Sequence, residues 1–93
     1  MTTVESIKKS LTEQFHPTHL EVHDDSAAHA GHEGARLSGG GHYTVVIVAD
    51  GFAEKNAVAR HRLIYAALQN EMKDAIHALA IQAFTPTEWQ VRR

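Results

Sequence analysis

Cysteine is missing altogether from the 93 residues. That absence excludes disulfides, thiol catalysis and any metal site built only on thiolates of this chain. Long apolar runs are missing as well, since none approaches the roughly 18 residues a membrane span needs. The N-terminus, MTTVESIKKS, lacks the basic-then-apolar layout of a secretion signal, so the expected compartment is cytoplasmic. No charge sign dominates. The net charge of −2 supplies no global positive field to draw the chain to nucleic acid.

What is present fits one small domain, residues 1–93, with a limited core. Charge is uneven along it. Up to residue 34, Lys8 and Lys9 face Glu5, Glu13, Glu21, Asp24, Asp25 and Glu33, and the remainder carries a cationic excess. The eight histidines are the compositional oddity. Their charge rises as pH falls below the usual imidazole range.

Thr2 and Glu5 have capping-box spacing, and Val4, Ile7, Leu11 and Phe15 then recur as a helical stripe. Pro17 ends that helix and pushes His16 out of α geometry. Leu20 and Val22 alternate with Glu21 and His23, which predicts a strand with one buried face. A second strand runs from His42 to Ala49, with a β-branched centre that reads as well covered.

Between these strands lies DSAAHAGHEGARLSGGG, residues 25–41, with five of the six glycines. A patternless segment of that length is long for a compact domain and reads as a functional or flexible loop. Asp50-Gly51 reads as a turn, and Asn56 caps a helix from about Ala57 to Lys73. Its expected stripe is Ile64, Tyr65, Leu68 and Met72, with Val58 and His61 earlier on the same face. Ile76 to Phe84 form a third strand. Thr85, Pro86 and Glu88 then restart a short helix, whose Trp89 packs back on the domain.

The order α-β-β-α-β-α predicts an α+β fold: a three-stranded mixed sheet with helices packed on one face. Strands one and two pair antiparallel, and strand three returns parallel through a helix.

Neutral imidazole is the commonest metal ligand, but it needs partners at fixed distance. His29 and His32 lie three apart on the glycine-rich loop, a poor cage alone. His77 opens a strand anchored by Leu79 and Ile81, so it is the rigid candidate. The bland readings are a solvated loop histidine and a buried His77 bonded to a carbonyl. His61 reads as packed and hydrogen-bonded. Lys55, Arg60 and Arg62 gather near a helix N-terminus, where free amides also favour phosphate; a merely solvated face is the alternative. Catalytic arrangements are weak. The carboxylates show no informative pairing, and Ser26 and Ser38 have no strained elbow around them.

From about Ile7 to Trp89 the chain resembles the BolA-like family. The resemblance rests on Arg60-His61-Arg62-Leu63-Ile64-Tyr65, on Ile76-His77-Ala78-Leu79-Ala80-Ile81, and on Thr85-Pro86 with Glu88-Trp89. LEVHDDS, residues 20–26, followed by His29, adds to it. The family's Phe-x-Gly departs here to Phe52-Ala53-Glu54. The resemblance implies a fold similar to a class II KH domain without its GxxG clamp, and no enzymatic activity. It implies an adaptor that pairs with a monothiol glutaredoxin around a shared [2Fe–2S] cluster. The partner and glutathione then supply thiolates, and His77 and His29 (His32 as substitute) supply imidazole. No cluster is expected on the chain alone, and no small-molecule substrate. Independently, histidine replaces cysteine on one iron of Rieske clusters, and a cysteine-free chain needs a thiol-bearing partner. The second implied role is DNA-binding transcriptional regulation of stress response and cell shape, with Lys55, Arg60 and Arg62 as contacts.

Overall fold

The computed structural model describes residues 2–26 and 41–92. Helix α1, Thr3–Phe15, starts as its sequence dictates. The Glu5 amide donates to the Thr2 hydroxyl and the Thr2 amide to the Glu5 carboxylate, a reciprocal capping box. A cap of this kind contributes about 1 kcal/mol. The helix ends at His16, whose φ of 48° is left-handed, ahead of Pro17.

Strand β1, His19–Asp24, lies antiparallel to β2, Gly41–Val48. Strand β3, Ile76–Phe84, lies parallel to β2 on its other side, so the sheet order is β1-β2-β3. A 3-10 turn at Asp50–Phe52 follows β2 and drives Phe52 into the core, 5.1 Å from the Phe15 ring.

The crossover is not one helix but two. Helix α2, Ala57–Ala67, is capped by the Asn56 side chain, which accepts from the Ala59 amide. At Leu68 the backbone leaves α geometry (φ −101°, ψ 19°), and α3, Gln69–Asp74, follows. The buried arc is Ile64 and Leu68, flanked by half-buried Leu63, Ala67 and Met72. Tyr65 lies one residue, about 100°, beyond Ile64 on this wheel. It is accordingly 41% exposed, and Val58 is 57% exposed. Both leave the stripe expected from the sequence.

Strand alternation divides the sheet cleanly. Leu20, Val22, Tyr43, Val45, Ile47, Leu79 and Ile81 join the core with Ile7, Leu11 and Phe52, under α1, α2 and α3. Glu21, His42, Thr44, Ala78 and Ala80 alternate with these and line the opposite face. Helix α4, Pro86–Arg92, turns round the end of the sheet to that second face. Its Trp89 stacks on His19 at 4.9 Å and meets Phe84 at 5.5 Å. The one-sided helical layer therefore holds for α1 to α3, while α4 departs from it. No helix among the described residues is long and apolar enough to cross a membrane.

Candidate functional site

The register of β2 against β3 slips where both strands begin. Gly41 faces Ile76 and His42 faces Ala78, which leaves His77 as an extra residue on β3. A bulge of this kind re-aims a side chain. Ile76 points into the core at 4% exposure, while His77 is exposed. The His77 ring lies 5.3 Å from the ring of His42, their planes 49° apart. His77 is thus neither buried nor a core histidine.

The chain on either side of residues 27–40 is fastened to the sheet beside these rings. Asp24 accepts from the Ser26 amide at 2.9 Å, and these Ser26 bonds hold the Asp24 carboxyl below its ordinary range. The Asp25 amide donates to the His42 carbonyl at 2.7 Å, and the His42 amide to the Ser26 hydroxyl at 3.1 Å. The Thr44 hydroxyl donates to the Asp25 carboxylate. Gly41 sits where a Cβ would come within 2.7 Å of the Ser26 hydroxyl and the Tyr43 ring, so no larger residue fits without movement. A shallow cavity of about 310 Å³ opens here, lined in part by Asp25, His42, Thr44, Ala78 and Ala80. His29 and His32 lie outside the described residues.

The donor set is informative about metals. Among the described residues, no three of the histidines and carboxylates converge to hold an ion. What this edge offers is one exposed imidazole beside a second ring, and no thiolate. Among the described residues this set falls short of the four donors that a self-contained structural metal centre takes.

Of the basic residues at this helix start, Arg60 is committed within the fold. Arg60 is 12% exposed at its side chain and fully engaged. Its Nη1 and Nη2 donate to the Glu88 carboxylate at 2.6 and 3.1 Å, Nη1 also to the Ala83 carbonyl at 3.0 Å, and Nε to the Lys55 carbonyl at 2.8 Å. Its bidentate pair holds α4 against α2 and leaves no free fork for a phosphate. Glu88 also accepts from the Thr85 amide, and its carboxyl is lowered to about 2, with the Arg60 guanidinium as the main cause. Lys55 and Arg62 remain exposed. His61 is half-buried and makes no hydrogen bond to a described residue, against the packed and bonded role expected for it.

Two features escaped the sequence reading. One is the partnership of His42 with His77, which depends on the bulge. The other is Glu21, held between His19 at 2.6 Å and His23 at 2.9 Å, whose bonds lower its carboxyl. The i, i+2, i+4 spacing on one strand face was the available signal for this second cluster.

A mixed three-stranded sheet with a bulged, histidine-bearing third strand defines a small α+β domain. The chain belongs to the BolA-like family. That family's model, described as BolA-like protein, matches residues 11–88. The chain is 46% identical over 86 residues to SufE-like protein 1, chloroplastic/mitochondrial, of Arabidopsis thaliana, covering 88% of this chain and 23% of that protein. It is 37% identical over 86 residues to the DNA-binding transcriptional regulator BolA of Escherichia coli, covering 92% of this chain and 78% of that one. The solved BolA domain of SufE1 from Arabidopsis thaliana superposes with a TM-score of 0.81 at 42% identity, covering 95% of this chain and 96% of that one. BolA1 from the same plant gives 0.80 at 34% identity, with the same coverage. The chain spans under a quarter of the plant SufE-like protein, so the activity of that larger protein is not carried over by the match.

Proposed function

We propose that this chain is a non-enzymatic adaptor that pairs with a monothiol glutaredoxin around a shared [2Fe–2S] cluster, in iron–sulfur and iron homeostasis. The observation that carries the reading is His77. It is an exposed imidazole set on a β-bulge, in a chain without a thiol. His77 is the residue that would hold the cluster from this side, with His29, or His32 in its place, as the second donor. When bound, the cluster supplies one-electron chemistry and transferable iron and sulfide. The task of this chain is to present a neutral nitrogen lone pair at a fixed position and to leave the sulfur donors to the partner and glutathione. Protonation removes that lone pair, so acid weakens the assembly.

The test is reconstitution of the chain with a monothiol glutaredoxin, iron, sulfide and glutathione, followed by visible absorption. His77→Ala is expected to abolish the spectrum of the mixed complex while leaving the fold intact, because the side chain is exposed. An unchanged spectrum removes His77 from the ligand set. His29→Ala is expected to shift the spectrum less, since His32 stands three residues on.

A second reading is a DNA-binding transcriptional regulator of stress response and cell morphology; its DNA-binding regulatory part is favoured by the names of relatives in Escherichia coli and Vibrio cholerae. On this reading the contacts fall to Lys55 and Arg62. Arg60 contributes by holding α2 and α4 together.

A further inference from the structure

Strand β3 is the outer strand of the sheet, and among the described residues nothing pairs with its far side. Which backbone groups face outward follows from the ladder. The Ala49 amide donates to the Phe84 carbonyl at 3.0 Å, so Phe84 turns its peptide groups toward β2. Alternation then turns Gln82 and Ala80 inward and Ala83, Ile81 and Leu79 outward. The outward carbonyl of Ala83 is taken by Arg60. No partner is found among the described residues for the outward amides and carbonyls of Leu79 and Ile81.

Natural sheets protect such an edge with charge, proline or a short strand. Here β3 has nine residues, IHALAIQAF, without a Lys, Arg, Asp, Glu or Pro. The opposite edge, β1, differs: it carries Glu21 and Asp24 and is shorter. The bulge of β3 lies at His77, at one end, and Arg60 closes the other end at Ala83. The unprotected stretch is the middle.

We propose that this middle stretch of β3 pairs antiparallel with the same stretch of a second copy of the chain, joining two sheets into one of six strands. A two-fold axis at Ala80 places Leu79 opposite Ile81 of the second copy, and the reverse. All four residues have outward groups, so the pairing closes four backbone hydrogen bonds. On the open face the axis sets Ala80 against its own copy and Ala78 against Gln82. Small side chains and a neutral amide meet there, with no like charges opposed. Arg60 fixes the limit, because Ala83 has no free carbonyl to extend the ladder. So short a ladder makes a weak, concentration-dependent dimer and not an obligate one.

The test is sedimentation of the full chain from micromolar to millimolar concentration, with backbone amide exchange read at both ends of that range. The expected result is a monomer–dimer equilibrium in which the Leu79 and Ile81 amides gain protection with concentration and those of β1 do not. Ala80→Lys sets two ammonium groups against each other on an exposed face. It is expected to weaken association at least about tenfold. A mass that stays monomeric throughout overturns the proposal, and so does protection gained on β1 instead of β3. A dimer that survives Ala80→Lys intact overturns it too. Should that variant fail to fold, the exchange pattern of the unaltered chain still decides.

Discussion

Glu54 holds a backbone φ of 61°, a region where an L side chain crowds the neighbouring carbonyl and glycine does not. The turn around it is fixed on both sides. The Ala53 amide bonds to the Asp50 carbonyl at 3.1 Å and the Lys55 amide to the Phe52 carbonyl at 3.2 Å, with Phe52 fully buried. The turn cannot relax without moving Phe52, so the residue absorbs the strain. Glu54→Gly is therefore expected to raise stability. Relief of strain of about 1–2 kcal/mol is offset by the greater freedom of glycine in the unfolded chain, for a net gain of about 0.5–1 kcal/mol. Urea unfolding reads this as a higher midpoint at unchanged slope. Glu54→Ala keeps the Cβ and is expected to gain nothing. Equal gains from both variants would place the cost in the carboxylate and not in the backbone.

At the scale of elements, α4 is joined to the rest by a clip and three ring contacts. Arg60 reaches from α2 past the edge of β3, binding the Ala83 carbonyl on the way, to Glu88. Trp89 seats on His19 and Phe84, and Arg92 lies 5.0 Å above the Phe84 ring. The folded Glu88 carboxyl lies near 2, below its ordinary 4.5, so its contribution is full above pH 4.5 and is lost as pH falls toward about 2. Glu88→Gln keeps a capping side chain at that position but removes the charge. The destabilisation it causes, followed by urea titration with Trp89 fluorescence, is expected to be full at neutral pH and to vanish toward pH 2. A difference independent of pH would mean that the ion pair is not what holds α4. This clip shows where sequence reading stops. Thr2, Asn56 and Thr85 announced their helices, because a cap is a local bond between residues three apart. The 28-residue span from Arg60 to Glu88 has no local signature, and Arg60 looked like one more cation on a basic helix start. The bulge that aims His77 was hidden for the same reason, since it exists only in the register between two strands. Periodicity also placed the helical crossover but read it as one helix with too wide a stripe, where the chain forms two. Within α2, Tyr65 and Val58 sit about 100° and about 120° round the wheel from buried Ile64, off the arc that meets the core.

Across the whole molecule, charge decides how the second functional reading is to be tested. The chain is net −2, so attraction to DNA has to come from a local patch strong enough to act against the field of the rest. Three cations were available in the sequence, which would give a slope of log K against log salt of about −2.7. Arg60 is held by Glu88 and two carbonyls, so Lys55 and Arg62 are left, and the expected slope falls to about −1.8. Binding to duplex DNA measured across a salt series distinguishes these values. Arg62→Ala is expected to flatten the slope by about 0.9, because it removes one phosphate contact. Arg60→Gln is expected to leave the slope unchanged while lowering stability, because it unclips α4 without removing a contact. If Arg60→Gln flattens the slope as Arg62→Ala does, the guanidinium leaves Glu88 for DNA on binding. A slope near zero for the unaltered chain would remove Lys55 and Arg62 from any phosphate-binding role.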